Sequence, residues 1–372
     1  MSVKVFLSVG DISAANYLYE ILKEGFEDFE FLGITNTRLE SIGIKSVGQI
    51  SELSVVGIAE VLPRLLKIRR LYKRSIEVLR DCDVLIACDA PGFNLRLIKE
   101  ARRMGVEKVV YFISPQVWAW KPGRAKIIAE YVDDLIVILP FEVEIYRNFE
   151  SGKFKVHYVG HPLVDMVKPS VSREEFYRIL GIDEEPVNLM PGSRWGEVKR
   201  HSSILKEVVK NLQGRVKDFI LPTFEDFREY IEDSFSGLPV KVITDRDVSY
   251  PSYNSMFYSK LSIVASGTSS LEAALAYNPH IVFYSLNPLT YMLARFLVRV
   301  EYVSLPNLIL NEEVIPELIN KSPSQITRAA ITLLEEDKER ERMRYRFGEL
   351  KSRLGGKEVI VRLRSLFREL LG

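Results

Sequence analysis

The sequence predicts an α/β protein built as two doubly wound domains, each around a parallel sheet, facing across a cleft, with a helical segment at the C-terminal end. Three observations lead there. Short apolar runs alternate with amphipathic segments from the first residue to about 285. The runs are continuously apolar and rich in β-branched residues, as strands buried on both faces require. The alternation also restarts midway, after a stretch near 162–175 broken by prolines, Ser170, Ser172 and charges. Strand–helix alternation of this kind implies right-handed crossovers and open parallel sheets.

Taken in order, the expected strands of the first half are 3–9, 29–34, 83–89, 108–113, 134–139 and 155–160. Those of the second half are 187–191, 217–223, 239–244, 260–266 and 280–285. Helical patterns lie between most of them, for example at 92–104, 197–212 and 268–277. Beyond about 313 the pattern reads as all helical and heavily charged, a solvated helix closing the fold. The division that follows is a first Rossmann-like domain over 1–165, a second over 166–340, and closing helices over 341–372.

Composition narrows the function. The chain has 372 residues, with 51 basic and 50 acidic side chains and a formal charge of +1. A protein that coats nucleic acid shows a basic excess, so nucleic-acid binding is not expected. The two cysteines, Cys82 and Cys88, lie in one apolar stretch and form no CxxC pair, which excludes a disulfide framework and suits a reducing compartment. With no HExxH pair and no His/Cys cluster at ligand spacing, neither a metal nor a cofactor is expected. A GxSxG elbow is missing too, which disfavours a serine hydrolase. The opening MSVKVFLSVGD is too short for a signal peptide, and no run of ~18 apolar residues occurs. The expected location is the cytoplasm, in peripheral contact with a membrane.

Ligands of doubly wound sheets bind beyond the carboxyl ends of the strands, so residues just after strands carry the chemistry. After strand 187–191 come Gly192, Ser193 and Arg194, then Glu197 in a helix; after strand 260–266 come Ser266, Gly267 and Thr268, again entering a helix. A helix N-terminus offers unpaired N–H groups and the positive end of a dipole to an anion, and arginine adds a planar fork of donors. Two such loops in one half suggest a pyrophosphate held between them. Glu272, about a turn further on, is placed to accept from ribose hydroxyls. In the first half, Asp11 and Ser13 follow the opening strand, and Asp89 and Asn94 follow the third. Desolvation at a strand's end would raise Asp89 toward the pKa of a useful base, while the competing reading makes it the N-cap of the helix near 92. Gln116, Trp118 and Trp120 share a loop after the next strand, where two tryptophans suit an acyl chain or a sugar face. His161 reads as a structural hydrogen-bonder.

One segment is basic and amphipathic. Between Glu60 and Glu77 the chain carries Arg64, Lys67, Arg69, Arg70, Lys73 and Arg74 and no acid, interleaved with Val61, Leu62, Leu65 and Leu66. Such a helix can lie in an anionic lipid interface, or form an ordinary domain helix with a basic outer face.

The stretches VVGIAEVLPRLL, CDAPGFN, YFISPQVWAWKPGRAKII, VGHPLVD, MPGSRWGEV, ASGTSSLEAAL and EYVSLPNLIL, in that order from about 55 to 310, resemble lipid-A-disaccharide synthase. That family consists of inverting glycosyltransferases with the two-Rossmann-domain (GT-B) architecture. The resemblance implies transfer from UDP-2,3-diacylglucosamine to 2,3-diacylglucosamine 1-phosphate, giving the β-1′,6-linked disaccharide 1-phosphate and UDP, at the anionic cytoplasmic face of an inner membrane. It makes Asp89 the candidate base and sets Arg194, Glu272 and Asn307 near the donor. Asp11, Ser13, Asn94, Gln116 and Trp118 become first-loop or acceptor candidates, and a homodimer is compatible. One departure stands out. The family's first loop reads Glu-Ala-Ser-Gly-Asp where this chain has Asp11-Ile12-Ser13-Ala14-Ala15, a carboxylate one methylene shorter with no glycine or second acid. The competing readings are a UDP-sugar epimerase or hydrolase of the same fold, and a non-catalytic nucleotide-sugar or lipid-A-precursor binding protein.

Overall fold

The structure, a computed structural model, describes residues 2–53, 61–286 and 301–372, without the side chains of 61–64. It divides into two compact units, one of Met1–Asp165 with Leu354–Gly372 and the other of Met166–Arg353.

The first unit is organised by a seven-stranded sheet: β1 (Val3–Val9), β2 (Phe29–Thr35), β3 (Lys45–Gln49), β4 (Val84–Cys88), β5 (Lys108–Phe112), β6 (Asp134–Val137) and β7 (Lys155–Tyr158). The order is β3-β2-β1-β4-β5-β6-β7, and the pairings are parallel. Central strands are buried along nearly their whole length, β4 and β6 completely, which is why they read as unbroken apolar runs. The strand order reverses between β1 and β4, and the chain leaves both strands there toward a helix, Ile12–Leu22 after β1 and Pro91–Met104 after β4. The C-terminal helix Val359–Leu371 belongs to this unit. Phe367 meets Phe112 edge-on at 5.3 Å, and the Arg364 guanidinium donates to the carbonyls of Glu20 and Ile21.

The second unit repeats the plan with β8 (Val187–Met190), β9 (Phe219–Pro222), β10 (Val240–Ile243), β11 (Leu261–Ala265), β12 (His280–Tyr284) and β13 (Glu317–Ile319). Its order, β10-β9-β8-β11-β12-β13, reverses between β8 and β11. These are the strands that lead into helices Trp195–Leu212 and Thr268–Leu275.

The structure adds to these expectations at several points. The reading of everything beyond 313 as helical is corrected by β13, and an edge strand, β3, joins the first sheet unannounced. The stretch near 162–175 holds helix Leu163–Met166 and the start of helix Arg173–Leu180, whose cap Ser172 accepts from the Glu175 N–H. The closing residues 341–372 are shared between the units: helix Asp337–Arg353 packs in the second through Met343, Phe347 and Leu350, and helix Val359–Leu371 packs in the first.

Candidate active site

In each unit several expected site residues, Asp11 and Asp89 in the first and Gly192 to Arg194 and Ser266 to Thr268 in the second, follow the strands where the strand order reverses, the place where open α/β sheets bind ligands. In the first unit the chain leaves β4 through Asp89 and Ala90, both left-handed with φ of +48° and +39°. Two consecutive non-glycine residues in that region are strained, and such strain persists only where surrounding bonds enforce it. The bonds are present. The buried Asn94 amide donates to the carbonyls of Ser8, Cys88 and Asp89 at 3.1, 3.0 and 2.8 Å, and accepts the Ser8 hydroxyl at 2.5 Å. The Tyr111 hydroxyl donates to the Asp89 carbonyl at 2.9 Å. From the other side the Gly10 N–H donates to the Cys88 carbonyl at 3.0 Å.

Asp89 therefore projects from a braced turn, and the helix-cap reading does not hold: the N-cap of Pro91–Met104 is Ala90, with no capping side chain. Burial, then the neighbouring Asp11 charge and a hydrogen bond between the two carboxyls, push Asp89 up to about 6. Asp11 also caps helix Ile12–Leu22, accepting from the Ala14 N–H at 2.7 Å. The two acids expected separately are one pair.

The remaining first-unit candidates divide. Asn94 is corrected from acceptor contact to brace, because its amide is spent on the turn. Ser13 is half-buried near the start of its helix, and Gln116 is exposed after β5. Trp118 is half-buried, edge-on to Phe141 at 5.4 Å. Beside it Glu142, which the sequence reading missed, is buried, accepts from the Leu139 N–H at 3.1 Å, and is pushed up to about 8 by burial. His161 is structural as expected: buried, it accepts from the Leu163 N–H and is pushed down to about 3.

In the second unit, Ser193 and Arg194 are exposed after β8, and Arg194 is the N-cap residue of helix Trp195–Leu212. Arg194 donates to Glu197 at 3.0 Å, and the Tyr284 hydroxyl donates to the same carboxylate at 2.8 Å. Gly192 has φ of +114°, a backbone conformation that side chains rarely adopt, and a Cβ there would meet the Glu197 Oε2 at 2.8 Å, so a larger residue would strain the turn. On the neighbouring strand β11, Ser266 and Gly267 lead into helix Thr268–Leu275 with Thr268 as its first residue. Burial pushes Glu272, one turn on, up to about 7, and the Tyr253 hydroxyl donates to it at 3.4 Å. Asn307 is corrected. Its amide oxygen accepts from Val314 and Ile315 N–H at 2.9 and 3.0 Å, and its nitrogen donates to the Ile315 carbonyl and Glu317 at 2.8 and 2.9 Å. That is the full capacity of an amide side chain, leaving nothing for a ligand.

In the basic helix Val61–Leu79, Leu71, Ser75 and Leu79 point inward, while Leu65 and Leu66 are 55% and 51% exposed beside exposed Arg69, Arg70 and Lys73. Arg74 is tied to Glu52 at 2.8 Å, and the side chains of Val61 and Leu62 lie outside the described residues. Among the described residues no helix is long and apolar enough to cross a membrane, and no group of three His, Cys, Asp or Glu is arranged to hold a metal.

Comparison with known proteins decides the family. The family model for lipid-A-disaccharide synthetase matches residues 5–369. The chain belongs to that family. The lipid-A-disaccharide synthase of Aquifex aeolicus is 50% identical over 368 residues, covering 99% of each chain, and that of Persephonella marina is 40% identical over 376 residues with the same coverage. Among solved structures, the UDP-GlcNAc 2-epimerase of Neisseria meningitidis aligns with a TM-score of 0.63 at 13% identity, over 98% of this chain and 100% of that one. Acinetobacter baumannii MurG aligns at 0.56 and 14%, over 99% and 100%. At such identities the likeness shows the fold alone, the GT-B architecture. Synthesis of the lipid A disaccharide is the activity for which the family is named, and its members are hexosyltransferases. The epimerase and binding-protein readings are not favoured.

Proposed function

We propose that this lipid-A-disaccharide synthase family member joins UDP-2,3-diacylglucosamine to 2,3-diacylglucosamine 1-phosphate by inverting transfer. The first unit serves the acceptor and the second the donor. Asp89 takes the proton of the acceptor's 6-hydroxyl as that oxygen attacks the anomeric carbon, and UDP leaves from the opposite face. Charge grows on the leaving pyrophosphate, where N–H groups opening helices Trp195–Leu212 and Thr268–Leu275, with Arg194, stabilise it. Glu272 accepts from the ribose hydroxyls. Helix Val61–Leu79 rests on the anionic cytoplasmic face of the inner membrane, where an acylated acceptor resides.

The observation that carries this reading is the Asp11–Asp89 pair. A carboxyl held at about 6 is ionised at neutral pH yet basic enough to share a proton with an attacking hydroxyl. Replacing Asp89 by Asn keeps the shape and removes the base, so turnover should fall roughly 10²–10⁴-fold with UDP affinity unchanged. Near-parental turnover in a folded Asp89→Asn protein would remove Asp89 from the chemistry.

A further inference from the structure

Helix Trp195–Leu212 is fastened to a strand that is not the sheet neighbour of the strand it follows. His201 is fully buried on its inner face. The imidazole Nδ1 lies 2.6 Å from the Pro191 carbonyl oxygen, and Nε2 accepts the Ser285 N–H at 3.2 Å. A carbonyl can only accept and an amide N–H only donate, so the ring is neutral with its proton on Nδ1. Burial supports that state by lowering the pKa below the ordinary value. Phe283 and Tyr284 close on the ring at 5.0 Å each. Since β11 lies between β8 and β12, the imidazole links the ends of the two strands that flank the 266–268 loop. Neighbouring side chains add to the fastening: Arg200 donates to the Ser285 carbonyl at 2.8 Å, and Tyr284 donates to Glu197 at 2.8 Å.

We propose that His201 is a positioning residue for transfer, its imidazole setting the spacing between the 191–194 loop and the end of β12 so that the loop amides and Arg194 meet the leaving pyrophosphate. The inference rests on the donor-side reading above. His201 touches no substrate and acts through the backbone of Pro191.

Glutamine can reproduce both bonds, with its amide N–H on Pro191 and its amide oxygen under Ser285, whereas leucine fills the space and makes neither. His201→Leu leaves a buried carbonyl and a buried N–H unpaired. It should bind UDP about tenfold more weakly by calorimetry, about the worth of one such bond, and raise the KM for donor while the KM for acceptor stays within about twofold. His201→Gln should recover most of that loss. Should the leucine variant not fold, His201→Asn, whose shorter amide reaches one partner, takes its place. UDP binding at the parental level in the leucine or asparagine variant would overturn the proposal, as would donor and acceptor KM rising together, or glutamine failing to rescue. Disaccharide formation by the parent is measured in the same assay, so its absence would count against the proposed reaction and not against His201.

Discussion

Gly10 lies against Ala90 so closely that a Cβ at position 10 would meet the Ala90 Cβ at 2.3 Å and its backbone nitrogen at 2.8 Å. The two residues end one strand and open the turn after its neighbour, so their contact fixes the height at which Asp89 emerges beside Asp11. Gly10→Ala should therefore act on both stability and chemistry. Thermal unfolding should show a loss of about 1–3 kcal/mol, the usual cost of overpacking. Turnover should fall by more than that loss accounts for, since the strained turn is displaced. A Gly10→Ala enzyme with parental Tm and turnover would mean that the turn tolerates movement.

Asp11 raises Asp89, so the acid side of the pH–rate profile reports on the pair. As the proposed base, Asp89 must be ionised, and with its carboxyl pushed up to about 6, kcat/KM should fall as the pH drops through that value. The same shift has a stability sign. A carboxyl whose folded pKa lies above its unfolded value weakens the fold increasingly as pH rises from the unfolded toward the folded pKa, and most above it. Asp11→Asn removes the like charge, so the acid limb should move to lower pH and the fold should gain stability at pH 8. An unmoved limb in the Asn variant would show that burial alone sets the value.

The proposed attachment to lipid uses the exposed face of helix Val61–Leu79. Arg74 is paired with Glu52, so Arg69, Arg70 and Lys73 are the residues to change. Each basic residue near an anionic surface contributes about 1 kcal/mol at low salt. Replacing all three by Gln should sharply reduce co-sedimentation with anionic vesicles, while activity on detergent-dispersed substrate stays intact. Co-sedimentation equal to the parent's would place the anchor elsewhere.

The strands buried on both faces were legible because nothing else requires runs such as VLIAC or LSIVA. Two of the four edge strands, β3 and β13, were not. KSVGQ of β3 is polar and ELI of β13 is three residues long, and an edge paired on one side needs no unbroken apolar run. In the candidate site, the placement of Asp89 and Arg194 beyond strand ends was legible in the sequence. Asn94 and Asn307 were misassigned for a physical reason: an amide in a motif looks the same whether it faces a ligand or braces carbonyls, and only its partners decide. His201 had one available signal, its position four residues after Glu197 on the same helical face. The Asp11–Asp89 pairing had none, because it arises from β1 and β4 lying side by side although far apart in the chain.

The most direct test is to incubate the protein with UDP-2,3-diacylglucosamine, with and without 2,3-diacylglucosamine 1-phosphate, and follow UDP and disaccharide together. Disaccharide and UDP should appear in equal amounts, and only when both sugars are present. UDP released without acceptor, or a donor bound and never consumed, would contradict the account.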